Sequence, residues 1–166
     1  MNINFAILAI AALIPLIIGF IWYHPKVFGN AWMVAAGLTE AQLKGTNMLK
    51  IFGLTYLLSF LATISLQFIV IHQYSVYSIL ANEQGLNDPT SGIGIYIADF
   101  MAKYGTNFRT FKHGALHGAL TGFFLILPII GINGLFERKS FKYVAINTGY
   151  WILSLMLMGG IICQFA

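Results

Sequence analysis

The chain contains four stretches that are each long and apolar enough to cross a lipid bilayer as a helix. They lie at about residues 4–22, 51–71, 113–136 and 143–165, and none of them contains Asp or Glu. A bilayer core of roughly 30 Å needs about 20 apolar residues in a helix. The stretches therefore predict an all-α integral membrane protein with four transmembrane helices. We expect residues 1–166 to form a single polytopic membrane domain.

The composition supports the same class of protein. Of the 166 residues, 58% are hydrophobic and 8% are charged, whereas about 25% of the residues in a soluble domain are charged. So few charges cannot cover a water-facing surface, which excludes a disordered chain, a coiled coil, a soluble enzyme and a nucleic-acid-binding protein. The single cysteine, Cys163, excludes a disulfide within the chain.

The distribution of Lys and Arg predicts how the spans are oriented. The loops at 23–50 and 137–142 lie on one side of the membrane and together hold six Lys and Arg residues, against three in the loop at 72–112. The side richer in Lys and Arg is typically cytoplasmic. We therefore expect the first and third loops in the cytoplasm and both termini on the outer side.

Aromatic residues and a proline follow the first span and predict an elbow at the cytoplasmic surface of the membrane. Trp22 and Tyr23 are typical anchors at the boundary between lipid and water, and Pro25 ends the helix. Phe28 and Trp32 are one helical turn apart, so they would re-enter the interface on one face of a short helix.

Two further helices are predicted in the loops. The segment Thr39-Glu40-Ala41-Gln42 is a capping box, and the short helix that it begins should stop at Gly45. Between the second and third spans, apolar residues recur at helical spacing and predict an amphipathic helix on the outer side. These apolar residues are Ile93, Ile97, Phe100, Met101 and Tyr104.

Two sequence motifs resemble those of a known family. The first, at 19–32, has the pattern G-x-x-W-Y-x-P-x-x-F-G-x-x-W. The second runs Ile146-Asn147-Thr148-Gly149-Tyr150 and is followed by Leu157-Met158-Gly159-Gly160-Ile161. With its four spans and its length, the chain resembles the small bacterial membrane family catalogued as domain of unknown function 1761. The resemblance implies a four-helix fold and an inner-membrane location, and it transfers no catalytic residue.

Glycines at fourfold spacing predict close contacts between helices. Small residues at this spacing let helix backbones touch in lipid. The glycines that we expect at such contacts are Gly19, Gly114, Gly118, Gly122, Gly159 and Gly160. The leading hypothesis is a non-enzymatic protein that works through helix contacts, as an accessory or assembly component or as a homo-oligomer. Its partners would be membrane lipid and either further copies of the chain or another membrane protein.

A second hypothesis follows from polar residues inside the spans. Four of them recur at fourfold spacing in the second span, and one lies in the fourth. They are Thr55, Ser59, Thr63, Gln67 and Asn147. If these residues face a cavity, the protein would be a small transporter or pore for a neutral or cationic solute.

A third hypothesis is a metal site. His72 ends the second span, His113 and His117 begin the third one helical turn apart, and Cys163 ends the fourth, so all four would lie toward one side of the membrane. Imidazole and thiolate are ligands for zinc and copper. The leading hypothesis needs no cofactor, and zinc or copper belongs to this third one. The chain has no Walker-type loop, no G-x-S-x-G motif and no H-E-x-x-H motif, so we expect no enzyme.

Overall fold

The computed structural model describes residues 3–44 and 46–166, and within them the chain is helical with no strand. Two stretches, Pro25–Gly29 and Gly122–Ile126, have π-helical hydrogen bonding. In chain order the α-helices are α1 (Phe5–Ala11), α2 (Ile14–Trp22), α3 (Asn30–Ala36), α4 (Glu40–Lys44), α5 (Met48–Val70), α6 (Gln73–Ile79), α7 (Gly92–Tyr104), α8 (Phe111–Thr121), α9 (Leu127–Phe136) and α10 (Phe141–Phe165).

Four helical segments are long and apolar enough to span a membrane, and the predicted all-α class is confirmed. Spans 1 to 4 are Phe5–Trp22, Met48–Val70, Phe111–Phe136 and Phe141–Phe165. Spans 2, 3 and 4 begin two or three residues before the predicted starts. The reason is that Asn47, Thr110 and Ser140 cap them, each accepting a hydrogen bond from a backbone N–H three residues on. A prediction based on runs of apolar residues does not include such polar caps.

The capping box in the first loop is formed. The Thr39 N–H donates to Gln42 Oε1 over 2.8 Å, and the Gln42 N–H donates to Thr39 Oγ1 over 3.4 Å. The helix that follows, α4, runs to Lys44. The predicted stop at Gly45 lies outside the described residues.

Span 4 is the central helix of the bundle. In its apolar window 56% of the residues are buried, against 11–28% in the other spans, because it packs against spans 1, 2 and 3 and against α3. The core joins residues of spans 1, 2 and 4 to Ile71, which follows span 2. Its members are Leu8, Ala11, Leu66, Val70, Ile71, Leu155, Met158, Ile162 and Cys163. The outward faces carry exposed bulky side chains such as Phe20, Leu58 and Phe124, as a lipid-facing surface would.

Span 1 is interrupted between α1 and α2. The break falls at Ala12 and Leu13, just before Pro15, which has no backbone N–H to donate and cannot continue a regular helix. The carbonyl of Pro15 accepts a hydrogen bond of 3.0 Å from the Tyr150 hydroxyl. The interruption is thereby tied to span 4.

The elbow after span 1 (residues 23–36) folds back onto span 4. Trp22 Nε1 donates to the Ile146 carbonyl over 3.1 Å, and the Trp22 ring lies 4.5 Å from that of Phe28. The Tyr23 hydroxyl donates to Asn147 Oδ1 over 2.9 Å, and the Tyr23 ring lies 5.2 Å from that of Trp32. The two motifs that carried the family resemblance are therefore in contact with each other.

Local geometry explains two further positions of the first motif. Pro25 begins the π-helical turn, while Nδ1 of the preceding His24 accepts a hydrogen bond of 3.2 Å from the Lys26 N–H. Gly29 is buried at the end of the turn, where a Cβ would overlap the Tyr23 carbonyl oxygen. Only glycine fits that close approach.

The long loop between spans 2 and 3 holds two helices at the opposite end of the bundle, which we call the histidine end. The predicted amphipathic helix is present as α7, with Ile97 buried and Ile95 and Tyr96 exposed. The shorter α6 was not predicted. Arg109 joins this loop to span 4, since its guanidinium donates to the Cys163 carbonyl over 2.7 Å and to the Ala166 carbonyl.

Candidate functional site

Three histidines converge at the histidine end. His72 lies between α5 and α6, and His113 and His117 lie one turn apart in α8. The Nε2 atoms of His72 and His113 are 2.9 Å apart. The ring of His117 has its centroid 4.9 Å from that of His72 and 4.5 Å from that of His113. One ring nitrogen from each histidine lies within 4.8 Å of the other two.

This spacing suits a single transition-metal ion. Two nitrogens that bind a tetrahedral zinc ion at about 2.0–2.1 Å are about 3.3 Å apart. The 2.9 Å between His72 and His113 would have to open by a few tenths of an ångström, and the His117 nitrogen, within 4.8 Å of the other two, would have to approach them. We call His72, His113 and His117 the histidine triad. His72 is exposed and the other two are half-buried, so the site is open to a ligand from outside.

The chain around the triad fixes the position of α8. Thr110 caps the helix by accepting a hydrogen bond of 3.3 Å from the His113 N–H. On the adjacent face of α8, Gly114 and Gly118 are buried against span 4, where a Cβ would overlap the carbonyl oxygens of Gly159 and Leu155. The glycines thus hold the helix that carries two of the three histidines.

The fourth predicted ligand, Cys163, is not part of the group that the structure brings together. It is completely buried in span 4, and its single S–H lies within hydrogen-bonding distance of the carbonyl oxygens of Val70, at 3.2 Å, and Phe108, at 3.3 Å. The position of Cys163 near the end of span 4 predicted correctly that it lies at the histidine end. It did not indicate which way the side chain points. The thiol points into the core and links span 4 to span 2 and to the loop before span 3.

A groove of about 320 Å³ adjoins the triad. His72 belongs to both, and the groove is otherwise walled by α6, α7 and the segment that follows α7. Its lining residues are His72, Gln73, Val76, Phe100, Tyr104, Asn107 and Phe108. The buried Gln73 amide donates to the Asn107 carbonyl over 2.8 Å, which ties α6 to the segment after α7.

Phe108 is the residue in this region that the sequence did not reveal. It has a φ of 61°, which is uncommon for any residue but glycine and unfavourable for a bulky one. Its ring lies 5.1 Å from the His113 ring and also lines the groove. Such backbone conformations are concentrated at binding sites and active sites. The sequence gives no sign of this conformation, because the residue is phenylalanine and not one of the residue types, glycine above all, that usually adopt a positive φ.

The polar residues of span 2 are placed inside the bundle. Ser59, Thr63 and Gln67 are each at most 1% exposed, whereas Thr55 is half-buried. Thr63 donates to the Phe60 carbonyl over 2.6 Å. Ser59 Oγ and both amide atoms of Gln67 have no hydrogen-bond partner among the described residues. Asn147, the fifth predicted lining residue, is instead hydrogen-bonded at the elbow to Tyr23 and to the Tyr143 carbonyl.

The remaining predicted glycines also lie at contacts within the chain. Gly122 is buried against Ile152, and a Cβ on Gly160 would stand 2.5 Å from the Phe111 ring. Gly19 faces Tyr150, at a distance that a Cβ could accept as an ordinary contact. The contacts that the glycine spacing predicts are thus made between helices of one chain.

Fold and site together define a small four-span helical protein with a histidine triad at one end. The chain belongs to the family described as Protein of unknown function (DUF1761), whose family model matches residues 6–163. The resemblance inferred from the two motifs is thereby confirmed. No curated protein and no solved structure matches the chain.

Proposed function

We propose that this protein binds a transition-metal ion, zinc or copper, through the histidine triad. The observation that carries the proposal is the approach of three imidazoles from two separate elements to within 4.8 Å. Neutral imidazole suits both metals, and the geometry of the site together with metal availability in the cell decides which of the two it holds. Three protein ligands leave at least one coordination position for a ligand from outside, as in catalytic rather than structural zinc sites.

We further propose that the protein resides in the bacterial inner membrane with the elbow in the cytoplasm and the triad on the outer side. The excess of Lys and Arg in the first and third loops supports this orientation. A metal ion would then be taken from outside the cytoplasm. Labelling of intact cells with an impermeant thiol reagent tests the orientation in a Cys163→Ala background. A cysteine replacing exposed Ser78, near the histidine end, should react, and one replacing exposed Thr46, near the elbow end, should not.

Elemental analysis of the purified chain tests the metal proposal. After equilibration with zinc or copper and removal of free ions, we expect about one equivalent of metal per chain, as is normal for a built site. His117→Ala should lose it. His24→Ala is the matched control, because His24 is an exposed histidine at the elbow end and should leave the stoichiometry unchanged. Failure of the intact chain to retain either metal would overturn the proposal.

A second candidate function is the passage of a small neutral polar solute through the bundle. It is favoured by the buried, unpartnered hydrogen-bonding atoms of Ser59 and Gln67. Such atoms are rarely left unsatisfied in proteins, and a polar solute or water could pair with them. In proteoliposomes, glycerol uptake should exceed that of empty vesicles and fall in Gln67→Leu. Equal uptake with and without protein would refute this candidate.

Action through helix contacts with further copies or another membrane protein is a third candidate, which now has less support. The glycines that suggested it pack within one chain. Span 3 still has only 11% of its apolar window buried, so most of its surface is free for lipid or for a partner helix. Native mass spectrometry after gentle release from the membrane separates the cases. A mass of 18.4 kDa with lipid alone would contradict an assembly role, and a multiple or a heteromer would support it.

A further inference from the structure

The charge of a metal bound at the triad has no counter-charge from the protein ligands. The group that converges there consists of three histidines, with no carboxylate or thiolate among the described residues that join it. Histidine binds metals as neutral imidazole, so a divalent ion would keep both positive charges. Near a bilayer an uncompensated charge is costly. At the open coordination position of the metal, a negatively charged external ligand would therefore bind more tightly than a neutral one.

The groove beside the triad indicates what the rest of such a ligand should be. Its walls are mainly aromatic and aliphatic side chains, among them Val76, Phe100 and Phe108, and it shares His72 with the triad. A volume of about 320 Å³ lies at the lower end of the roughly 300–1,000 Å³ that is typical of ligand sites. An apolar chain of moderate length fits this space, with its polar end at His72.

The construction of the groove favours a site rather than an accidental crevice. Phe108 reaches its place through an unfavourable backbone conformation, and its carbonyl is fixed by the buried Cys163 thiol. The same ring contacts the triad and lines the groove. A residue with an unfavourable backbone conformation thus lies at the point where an ionic site and an apolar site would meet.

The surroundings fit an anionic amphiphile delivered from the membrane. The groove is formed where the chain leaves span 2, and α7 exposes Ile95 and Tyr96 beside it, as an interfacial helix would. Lys112 is exposed next to His113, whereas Asp99, an acidic residue of α7, is paired with Lys103 over 2.8 Å. The residue that precedes His113 in the chain is therefore positively charged, and the carboxylate of Asp99 already has a cationic partner.

From these observations we infer that the metal site takes the carboxylate of a fatty acid, with the acyl chain in the groove lined by Val76, Phe100 and Phe108. The inference rests on the proposed metal site. The carboxylate would complete the coordination of the metal and balance part of its charge, while burial of the chain would supply most of the affinity.

Cobalt(II) bound to the full-length chain provides a test that separates the two proposals. Cobalt(II) replaces zinc in histidine sites and gives visible absorption that changes with its ligands. In nanodiscs of zwitterionic lipid, the appearance of this absorption reports the metal site, and its change on titration reports the fatty acid. Decanoate is the probe, acetate the matched head without a tail, and 1-decanol the matched tail without a charge.

We expect decanoate to change the cobalt spectrum at a concentration at least about tenfold below that of acetate, because its chain is buried. Decanol should not change it. Val76→Trp fills the groove and should raise the decanoate requirement toward that of acetate. Ile79→Trp, at an exposed residue of the same helix that does not line the groove, should not. The cobalt spectrum without ligand shows whether each variant keeps its metal site.

Three results would overturn the inference while leaving the metal site intact. The first is equal potency of decanoate and acetate, which would indicate a simple anion site. The second is an unchanged decanoate titration in Val76→Trp, which would place the chain elsewhere. The third is a spectrum that shifts in nanodiscs containing phosphatidylglycerol and then ignores decanoate, which would identify a lipid phosphate as the ligand. Absence of the cobalt absorption itself would refute the proposed metal site.

Discussion

Gly114 and Gly159 pack backbone against backbone, so that a Cβ on either one would overlap the carbonyl oxygen of the other. The contact continues along the two helices at Gly118, which lies against the Leu155 carbonyl. Close approach of this kind is how small residues join helices in lipid. His113 and His117 each precede one of these glycines on α8. The packing of the glycines therefore also positions both histidines, at the end of the bundle where His72 follows span 2.

Replacing Gly118 by alanine should destabilise the bundle. The added methyl group has no space against the Leu155 backbone, and forcing atoms into a packed site typically costs about 1–3 kcal/mol. Gly131→Ala is the control in the same span, since a Cβ there meets nothing within 4 Å. Thermal unfolding in detergent should therefore give a lower midpoint for Gly118→Ala only. Equal midpoints for the two variants would contradict the close contact.

The spans could be predicted from the sequence because they depend on local pattern. A run of apolar residues is sufficient to identify a helix of spanning length, and glycine spacing identifies a face that can approach another helix. The sequence also predicted that His113 and His117 share a face, since they are one turn apart. The family motifs at 19–32 and 146–150 could be identified in the sequence. Their contact through Tyr23 and Asn147 could not be predicted from it.

What the sequence could not give depends on how the helices are rotated and packed. Cys163 was expected among the metal ligands, yet span 4 is central and turns its thiol toward Val70. The contact between His72 and His113 depends on the path of the chain after span 2, which no local sequence pattern predicts. The groove wall at Phe108 depends on a left-handed backbone conformation that a phenylalanine in the sequence does not predict.

Zinc should raise the thermal stability of the protein through the triad. A ligand that binds only the folded state at 100 times its dissociation constant stabilises that state by about 2.7 kcal/mol. We expect the midpoint of unfolding to rise with zinc in the intact chain and to stay constant in His113→Ala. His24→Ala should keep the zinc-dependent increment even though its loss of the Lys26 contact lowers the starting midpoint. An increment that survives in His113→Ala would exclude the triad as its source.

Replacing Gln67 by leucine should leave the stability unchanged or raise it. The Gln67 amide is completely buried and has no partner among the described residues. An unsatisfied buried polar group costs about 1–3 kcal/mol, which an apolar side chain of similar size removes. Gln67→Ala is the comparison, because it removes the amide but leaves a cavity and should be less stable than Gln67→Leu. Chemical unfolding in mixed micelles measures both, and a less stable leucine variant would show that the amide is paired in the membrane.

Removing the Tyr23 hydroxyl should weaken the attachment of the elbow to span 4. Tyr23→Phe deletes the donor to Asn147 Oδ1 and leaves that oxygen without the bond, a loss of about 0.5–1.5 kcal/mol. Burial raises the pKa of Tyr23, so its hydroxyl remains a donor below the ordinary phenol pKa of about 10. The stability difference between the intact chain and Tyr23→Phe should therefore be the same at pH 6 and pH 9, and it should shrink only at more alkaline pH.

The control for this prediction is Tyr96→Phe, since Tyr96 is exposed on α7 and far from the elbow in the chain. An exposed substitution of this kind usually changes stability by less than about 0.5 kcal/mol. If Tyr23→Phe were no more destabilising than Tyr96→Phe, the hydrogen bond between the two family motifs would contribute nothing to the fold. Among the described residues, the hydrogen bond from Trp22 Nε1 to the Ile146 carbonyl would then link the first family motif to span 4, and Trp22→Phe should show the larger loss.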